Sequence, residues 1–432
     1  MMAALINRRD RIEEAASTAF FSLLVSGLLL FAGMLALSPL LGLFFGSPRV
    51  AEISAALSGW LFLQAVTIVP DALLQRRLSF ARRVAVDPIA ASAFGLVSIV
   101  ACARGAGVWG LVAGAYASML AQVVSSWAFA RARPRWHLAS IAMWRELVAF
   151  ARPVVGSEVL RRMAGQLDAI MLGRFSGAAS LGQYRNGLRL AQAPENAFVN
   201  VGAYVLLPIL ARLGRHPERF ADAARHVFRV LAAAVVPISF ATVPLGVPLA
   251  VLVLGSRWRP AGHAIAGLSG VLLGSAIISV SSEIFKAIGR PKLLVRTHAV
   301  NLLMTATVVT AGAILFGLIG VAVAVSVSQV VTALYAFGLV TKLIDISWPE
   351  LGKELAGPAL AACAMLAAMV SFADVLRPLS HGEAIALALT AAQVVTGSLV
   401  YLAVLMTVDR RRRREARRTL TGLRAQHGPA PS

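Results

Sequence analysis

Glu158, Arg161, Arg162 and Asp168 interrupt one apolar stretch of this sequence, and Arg185 and Arg189 interrupt the next. At helical spacing, Glu158, Arg161, Gly165 and Asp168 fall on one stripe, and Arg185, Arg189, Gln192, Asn196 and Asn200 on another. An ionised group inside hydrocarbon costs roughly 2.5–3.5 kcal/mol on insertion scales, so such side chains face a cavity or one another. Two adjacent polar stripes predict a water-filled cationic cavity. A guanidinium is a planar fork that binds oxyanions bidentately, which suits a phosphate or diphosphate better than a neutral solute. The candidate substrate-binding residues are therefore Arg161, Arg162, Asp168, Arg185, Arg189 and Asn196. The competing reading is structural: Glu158 pairs with Arg162, and Asp168 with a neighbouring arginine.

The elements that position these residues follow from composition. The 432 residues are 58% hydrophobic and only 14% charged, whereas soluble domains carry about 25% charge. That disfavours a soluble enzyme, a disordered chain and a nucleic-acid binder. The expected class is all-α, a polytopic helical membrane protein. A span needs about 20 predominantly apolar residues. Twelve segments qualify: 19–40, 53–74, 86–103, 107–130, 150–172, 181–210, 227–254, 264–287, 294–315, 318–340, 355–375 and 384–408. Pro39, Pro194, Pro208, Pro237, Pro244 and Pro248 predict kinks within them.

The net charge of +21 would suggest nucleic acid in a soluble chain. Here the basic residues sit between apolar runs, in alternate loops: Arg8, Arg9 and Arg11; Arg76, Arg77, Arg82 and Arg83; Arg131 to Arg152; Arg212 to Arg229; Lys286 to Arg296; Lys342 and Lys353; and the tail from Arg410. Such alternation assigns these loops and both termini to the cytoplasm. The tail reads as a topology anchor that also touches anionic lipid. No expected loop is long enough for a sizeable extramembrane domain. Cys102 and Cys363 lie in apolar runs and build neither a disulfide framework nor a zinc site. No Asp-x-Asp pair, phosphate-cradling loop or His cluster is present, so no cofactor, metal or enzymatic activity is expected. Gln64, Asp71, Glu283, Lys286, His298, Asn301, Thr305 and Gln329 read as helix-packing groups.

The chain also repeats. Gly107-Val108-Trp109-Gly110 and Gly317-Leu318-Ile319-Gly320 open two apolar segments, and Ser118 matches Ser328 at the same offset of 210 residues. Two homologous bundles with a site between them are the expected arrangement: residues 1–148 as a four-helix bundle, 149–345 as a six-helix bundle, 346–409 as an extra helix pair, and 410–432 as a basic tail.

Asn7-Arg8-Arg9-Asp10 with Ser17-Thr18-Ala19-Phe20, Pro70-Asp71-Ala72-Leu73-Leu74-Gln75-Arg76, Gln166-Leu167-Asp168 through Gly173-Arg174-Phe175, Leu181-Gly182-Gln183-Tyr184-Arg185, and Ala287-Ile288-Gly289-Arg290-Pro291 together resemble the Wzx-like polysaccharide flippases of the multidrug/oligosaccharidyl-lipid/polysaccharide superfamily. The resemblance implies export of an undecaprenyl-diphosphate-linked oligosaccharide across the bacterial inner membrane by alternating access. The product would be a surface glycan such as lipopolysaccharide or exopolysaccharide. It implies polymerase and glycosyltransferase partners, arginines that neutralise diphosphate, and an Asp168 that orients an arginine or couples to a cation. Family members usually have two spans before the Arg-Arg-Asp loop, so the expectation is a first half short of two helices, encoded upstream. The rival readings are a multidrug-type, cation-coupled efflux transporter, a membrane glycan polymerase or ligase, and a non-transporting assembly partner.

Overall fold

The computed structural model describes residues 11–76, 80–130, 134–213, 217–288, 290, 292–344, 348–376 and 383–408. The described residues are almost entirely helical, and no strand occurs among them. The chain divides into two compact units, Met1–Leu160 and Arg161–Ser432.

In the first unit, α1 (Ile12–Phe45), α2 (Pro48–Arg76), α3 (Phe80–Ala103) and α4 (Val108–Ala130) are followed by a short 3-10 turn at Trp136–Leu138 and by α5 (Ile141–Ala164). Small residues set the helix spacing. A Cβ on Gly27 would sit 2.6 Å from the Ala65 Cβ, and one on Gly42 2.8 Å from the Ala51 Cβ, so α1 and α2 approach as only small side chains allow. Ser17 and Thr18 are buried and accept the backbone N–H groups of Arg135 and Ser140, each at 3.1 Å. The Ser-Thr pair thereby pins the α4–α5 connection onto the start of α1. Met143 and Leu147 close that end against Ala15, Ala19, Ala72 and Leu73.

The second unit contains α6 (Leu167–Leu213), α7 (Pro217–Leu254), a 3-10 turn (Ser256–Trp258), α8 (Arg259–Gly267), α9 (Ser269–Ala287), α10 (Lys292–Met304), a π turn (Thr305–Val309), α11 (Thr310–Thr341), α12 (Trp348–Leu376) and α13 (Glu383–Val408). Its core joins α7, α9 and α11 through Phe228, Ile284, Phe285 and Phe337.

Among the described residues, eight helices are long and apolar enough to cross a membrane. Ser256–Gly267 with Ser269–Phe285, bent by 43°, makes up to nine. One of the eight, Lys292–Thr341, has 50 residues. A straight helix of that length would run about 75 Å, against about 30 Å of hydrocarbon. Gly317 (φ 56, ψ −131) breaks it, and the two arms fold back so closely that a Cβ on Gly320 would lie 2.2 Å from the Gly312 carbonyl oxygen. The outward faces carry Leu29, Leu43, Leu315 and Phe316, each more than two-thirds exposed. Water would not tolerate so much apolar surface, but lipid does. The molecule is an all-helical, multi-pass membrane protein.

Two segments depart from the expected pattern. The stretch 150–172 is not one helix: α5 ends at Ala164 and α6 begins at Leu167. The prolines Pro39, Pro237, Pro244 and Pro248 lie inside continuous helices, while the breaks fall at Gly177, Gly317 and between α8 and α9. A proline orphans the carbonyl four residues back, and the structure supplies substitutes. Ser38 Oγ donates to Leu35 O at 2.8 Å beside Pro39. Tyr401 of α13 donates its phenol to Ala233 O at 2.8 Å, the carbonyl that Pro237 leaves free. That bond ties the C-terminal helix to α7.

Candidate functional site

Asp168 stands in the first turn of α6 and is buried. Its Oδ1 accepts the Ala169 N–H at 2.8 Å, and its Oδ2 accepts the Tyr184 phenol at 2.6 Å. Tyr184 lies 16 residues further on, which along a straight helix would be about 24 Å away. The two meet because Gly177 (φ 80, ψ 176) reverses the chain between them. The break falls at glycine because a side chain resists positive φ. Tyr184 is wholly buried against Leu172, Ala264 and Leu268.

A second bond bridges the same two arms. Arg185 donates from Nη2 to the Gln166 Oε1. Arg185 as a residue is partly buried although this bond is exposed, whereas Arg189, one turn on, is exposed and has no polar partner among the described residues. Gly187 lies on the opposite side of this arm, where a Cβ would sit 2.8 Å from the Ala261 carbonyl oxygen. The second arm of α6 thus packs on α8 through its small side and presents arginine on the other. Gln183 anchors the outer turn by donating to Arg257 O at 3.1 Å and accepting the Ala261 N–H at 3.2 Å.

The expected residues are placed as follows. Asp168 lies on the first arm of α6, and Arg185 and Arg189 lie on the second. Arg162 is exposed on the last turns of α5, beyond the Gly165–Gln166 turn. The predicted stripe from Glu158 to Asp168 assumed a continuous helix and does not run across that turn. Among the described residues, Asp168 bonds to tyrosine and backbone rather than to an arginine. The side chains of Glu158, Arg161, Asn196 and Asn200 lie outside the described residues, as do Arg8, Arg9 and the basic tail. Arg174 is exposed, with its guanidinium carbon 5.8 Å from the Phe175 ring centroid. Tyr184 and Gln166 were not among the expected site residues. The signal for them was available, since a phenol and an amide flank the same glycine turn as the aspartate and arginine they bond. Elsewhere, Ser126 donates to the buried Asp71 at 3.3 Å, and Asn301 donates to Thr332 at 3.3 Å; both are contacts between helices. Among the described residues, no group of three or more His, Cys, Asp or Glu could hold a metal ion.

A multi-pass helical bundle with broken helices and arginines on a polar face has the build of a membrane transporter. Comparison with known proteins narrows this. The profile of a family described as "Polysaccharide biosynthesis protein" matches residues 1–263, and the chain belongs to that family. It is 23% identical over 411 residues to the teichuronic acid biosynthesis protein TuaB of Bacillus subtilis (strain 168), covering 94% of this chain and 83% of that one. Its fold resembles the lipid II flippase MurJ in an inward closed conformation. The TM-score is 0.77 at 14% identity, over 94% of this chain and 87% of MurJ. An inward-facing multidrug resistance MATE transporter of the MOP superfamily aligns with TM-score 0.64 at 17% identity, over 80% of this chain and 85% of the other.

Proposed function

We propose that this protein is an inner-membrane flippase that moves an undecaprenyl-diphosphate-linked oligosaccharide from the cytoplasmic to the outer leaflet for surface polysaccharide biosynthesis. The observation that carries the reading is the arginine face of α6, Arg185 with Arg189, in a chain of a polysaccharide biosynthesis family whose fold resembles a lipid II flippase. Paired guanidiniums recognise a diphosphate through its oxyanions, while the lipid tail stays in the bilayer. Arg161, Arg162 and Asn196 are further substrate contacts in this reading. Glu158 and Asp168 are its structural or cation-coupling acids. The bundles 1–148 and 149–345 work by alternating access in this reading. The helix pair 346–409 flanks them, and both termini and the tail 410–432 face the cytoplasm and its anionic lipid. Glycosyltransferases and a polymerase work on either side of this step.

The test is export in cells deleted for their own flippase, scored as surface glycan against total membrane-inserted protein. Arg189→Ala lowers export about tenfold or more, the scale of a lost charge-assisted bond, with unchanged protein level. Full export by a combined Arg185→Ala and Arg189→Ala variant would remove the arginine face from the mechanism. Drug resistance without glycan export would instead favour a multidrug role.

A further inference from the structure

The turn at Gly177 is bridged by two hydrogen bonds that run side by side. Tyr184 to Asp168 is the inner one, between a wholly buried phenol and a buried carboxylate. Arg185 to Gln166 is the outer one, an exposed bond between a guanidinium and an amide. They use consecutive residues on the second arm and residues two apart on the first. The inner bond is shielded from water and keeps its strength. An exposed amide–guanidinium bond contributes little by itself, because water competes for both groups. The outer pair depends on the approach of the two arms, and the inner pair is the buried bond that joins them directly. Resting on the flippase reading above, we propose that Tyr184 is a positioning residue: its bond to Asp168 sets the approach of the α6 arms and so orients the Arg185 guanidinium toward a lipid-linked diphosphate.

This assigns Asp168 a task that needs an acceptor oxygen rather than a charge. Asp168→Asn keeps an oxygen for the phenol and preserves the arm geometry, whereas Asp168→Leu removes it. Tyr184→Phe deletes the donor while keeping the ring that fills the core against Leu172 and Leu268.

The experiment uses the full chain in lipid nanodiscs and two readouts. The first needs no substrate: phenylglyoxal modification of Arg185, measured by mass spectrometry. The second is binding of undecaprenyl diphosphate. Tyr184→Phe and Asp168→Leu should both raise Arg185 modification several-fold, and Asp168→Asn should leave it near the wild-type level. Tyr184→Phe should also weaken binding about tenfold, the scale of one buried hydrogen bond, yet add nothing in an Arg185→Ala background, as coupled residues do in a double-mutant cycle. Unchanged modification of Arg185 in Tyr184→Phe overturns the proposal, and so does an equal loss of binding in both backgrounds. If modification rises as expected but the wild-type protein does not bind undecaprenyl diphosphate, the positioning holds and the substrate assignment is what fails. Should Tyr184→Phe not insert, the Asp168→Asn and Asp168→Leu pair carries the same decision.

Discussion

The two units contain the same hairpin geometry, but only one keeps its helices whole. Gly107 (φ 53) and Gly317 (φ 56) open equivalent turns at the 210-residue offset. Gly110 and Gly320 each press against the preceding helix three residues later. Tyr116 donates to the Ala56 carbonyl and Ser326 to the Gly267 carbonyl, so one crossing bond recurs at nearly the same offset. Around it the units diverge. In the first, α2 runs unbroken through Ala56 and Gly59. In the second, the equivalent helix breaks by 43° between α8 and α9, and Ser326 serves both sides of the break. It donates to Gly267 O at 2.7 Å and accepts the Gly270 N–H at 3.2 Å. Likewise α3 is continuous, while the matching stretch of the second unit contains the π turn at Thr305–Val309. Irregular backbone at membrane depth survives only where other groups satisfy it, and broken helices and π turns concentrate at functional sites. The irregular backbone thus falls in the second unit, which also carries the α6 arginines.

The largest effect is expected where the two hairpins differ in what a methyl group would strike. Gly320→Ala places its Cβ 2.2 Å from backbone oxygen, whereas Gly110→Ala meets first the Cys102 Sγ at 2.8 Å, a side chain that can turn away. Overpacking costs about 1–3 kcal/mol and more where backbone must move. Gly320→Ala should therefore abolish membrane-inserted protein, and Gly110→Ala should lower the melting temperature in detergent only modestly. Equal loss in the two would show that the repeats are not packed as described.

Next comes the crossing bond. Ser326→Ala strips partners from a carbonyl and an N–H at a helix break, while Tyr116→Phe strips one partner from a carbonyl within a regular helix. A buried polar group left unpaired costs about 1–3 kcal/mol, and the Ala56 carbonyl keeps its own helical N–H donor, so Ser326→Ala should destabilise clearly more than Tyr116→Phe. Thermal unfolding of both variants measures the ratio; a larger loss for Tyr116→Phe would reverse the assignment of the weak joint.

The smallest effect concerns the proline substitutes. Tyr401→Phe removes the bond that joins α13 to α7 across 168 residues, at a cost of about 1 kcal/mol. Ser38→Ala removes a local bond within α1 from a buried hydroxyl and should also cost about 1 kcal/mol, without loosening one helix from another. Limited proteolysis distinguishes them: only Tyr401→Phe should speed cleavage between α12 and α13.

Hydropathy made most of the span pattern legible, because a stretch of apolar residues has few other uses at this length. The repeat was legible as well, since Gly107 and Gly317 recur where the turn needs positive φ. The exception lies between Ile141 and Leu213, where no described helix passes as a span. Arginine and aspartate lower the hydropathy there, and Gly165–Gln166 and Gly177 divide it. The clear helix breaks fall at Gly177 and Gly317 and between α8 and α9, while hydroxyls of Ser38 and Tyr401 serve the carbonyls that Pro39 and Pro237 orphan.

Composition and spacing alone determine that this chain lives in a membrane, that its hairpins recur, and that arginines and an aspartate gather near one glycine turn. These properties are local, readable from some 20 residues at a time. Only the tertiary structure decides that Asp168 belongs to Tyr184 rather than to an arginine, and that Arg189 remains exposed beside a bonded Arg185. A buried carboxylate takes whichever donor the fold delivers, and the Gly177 reversal delivers a phenol from 16 residues away. Spacing on a helix ranks neighbours at three and four positions; it is blind to a partner brought in by a chain reversal.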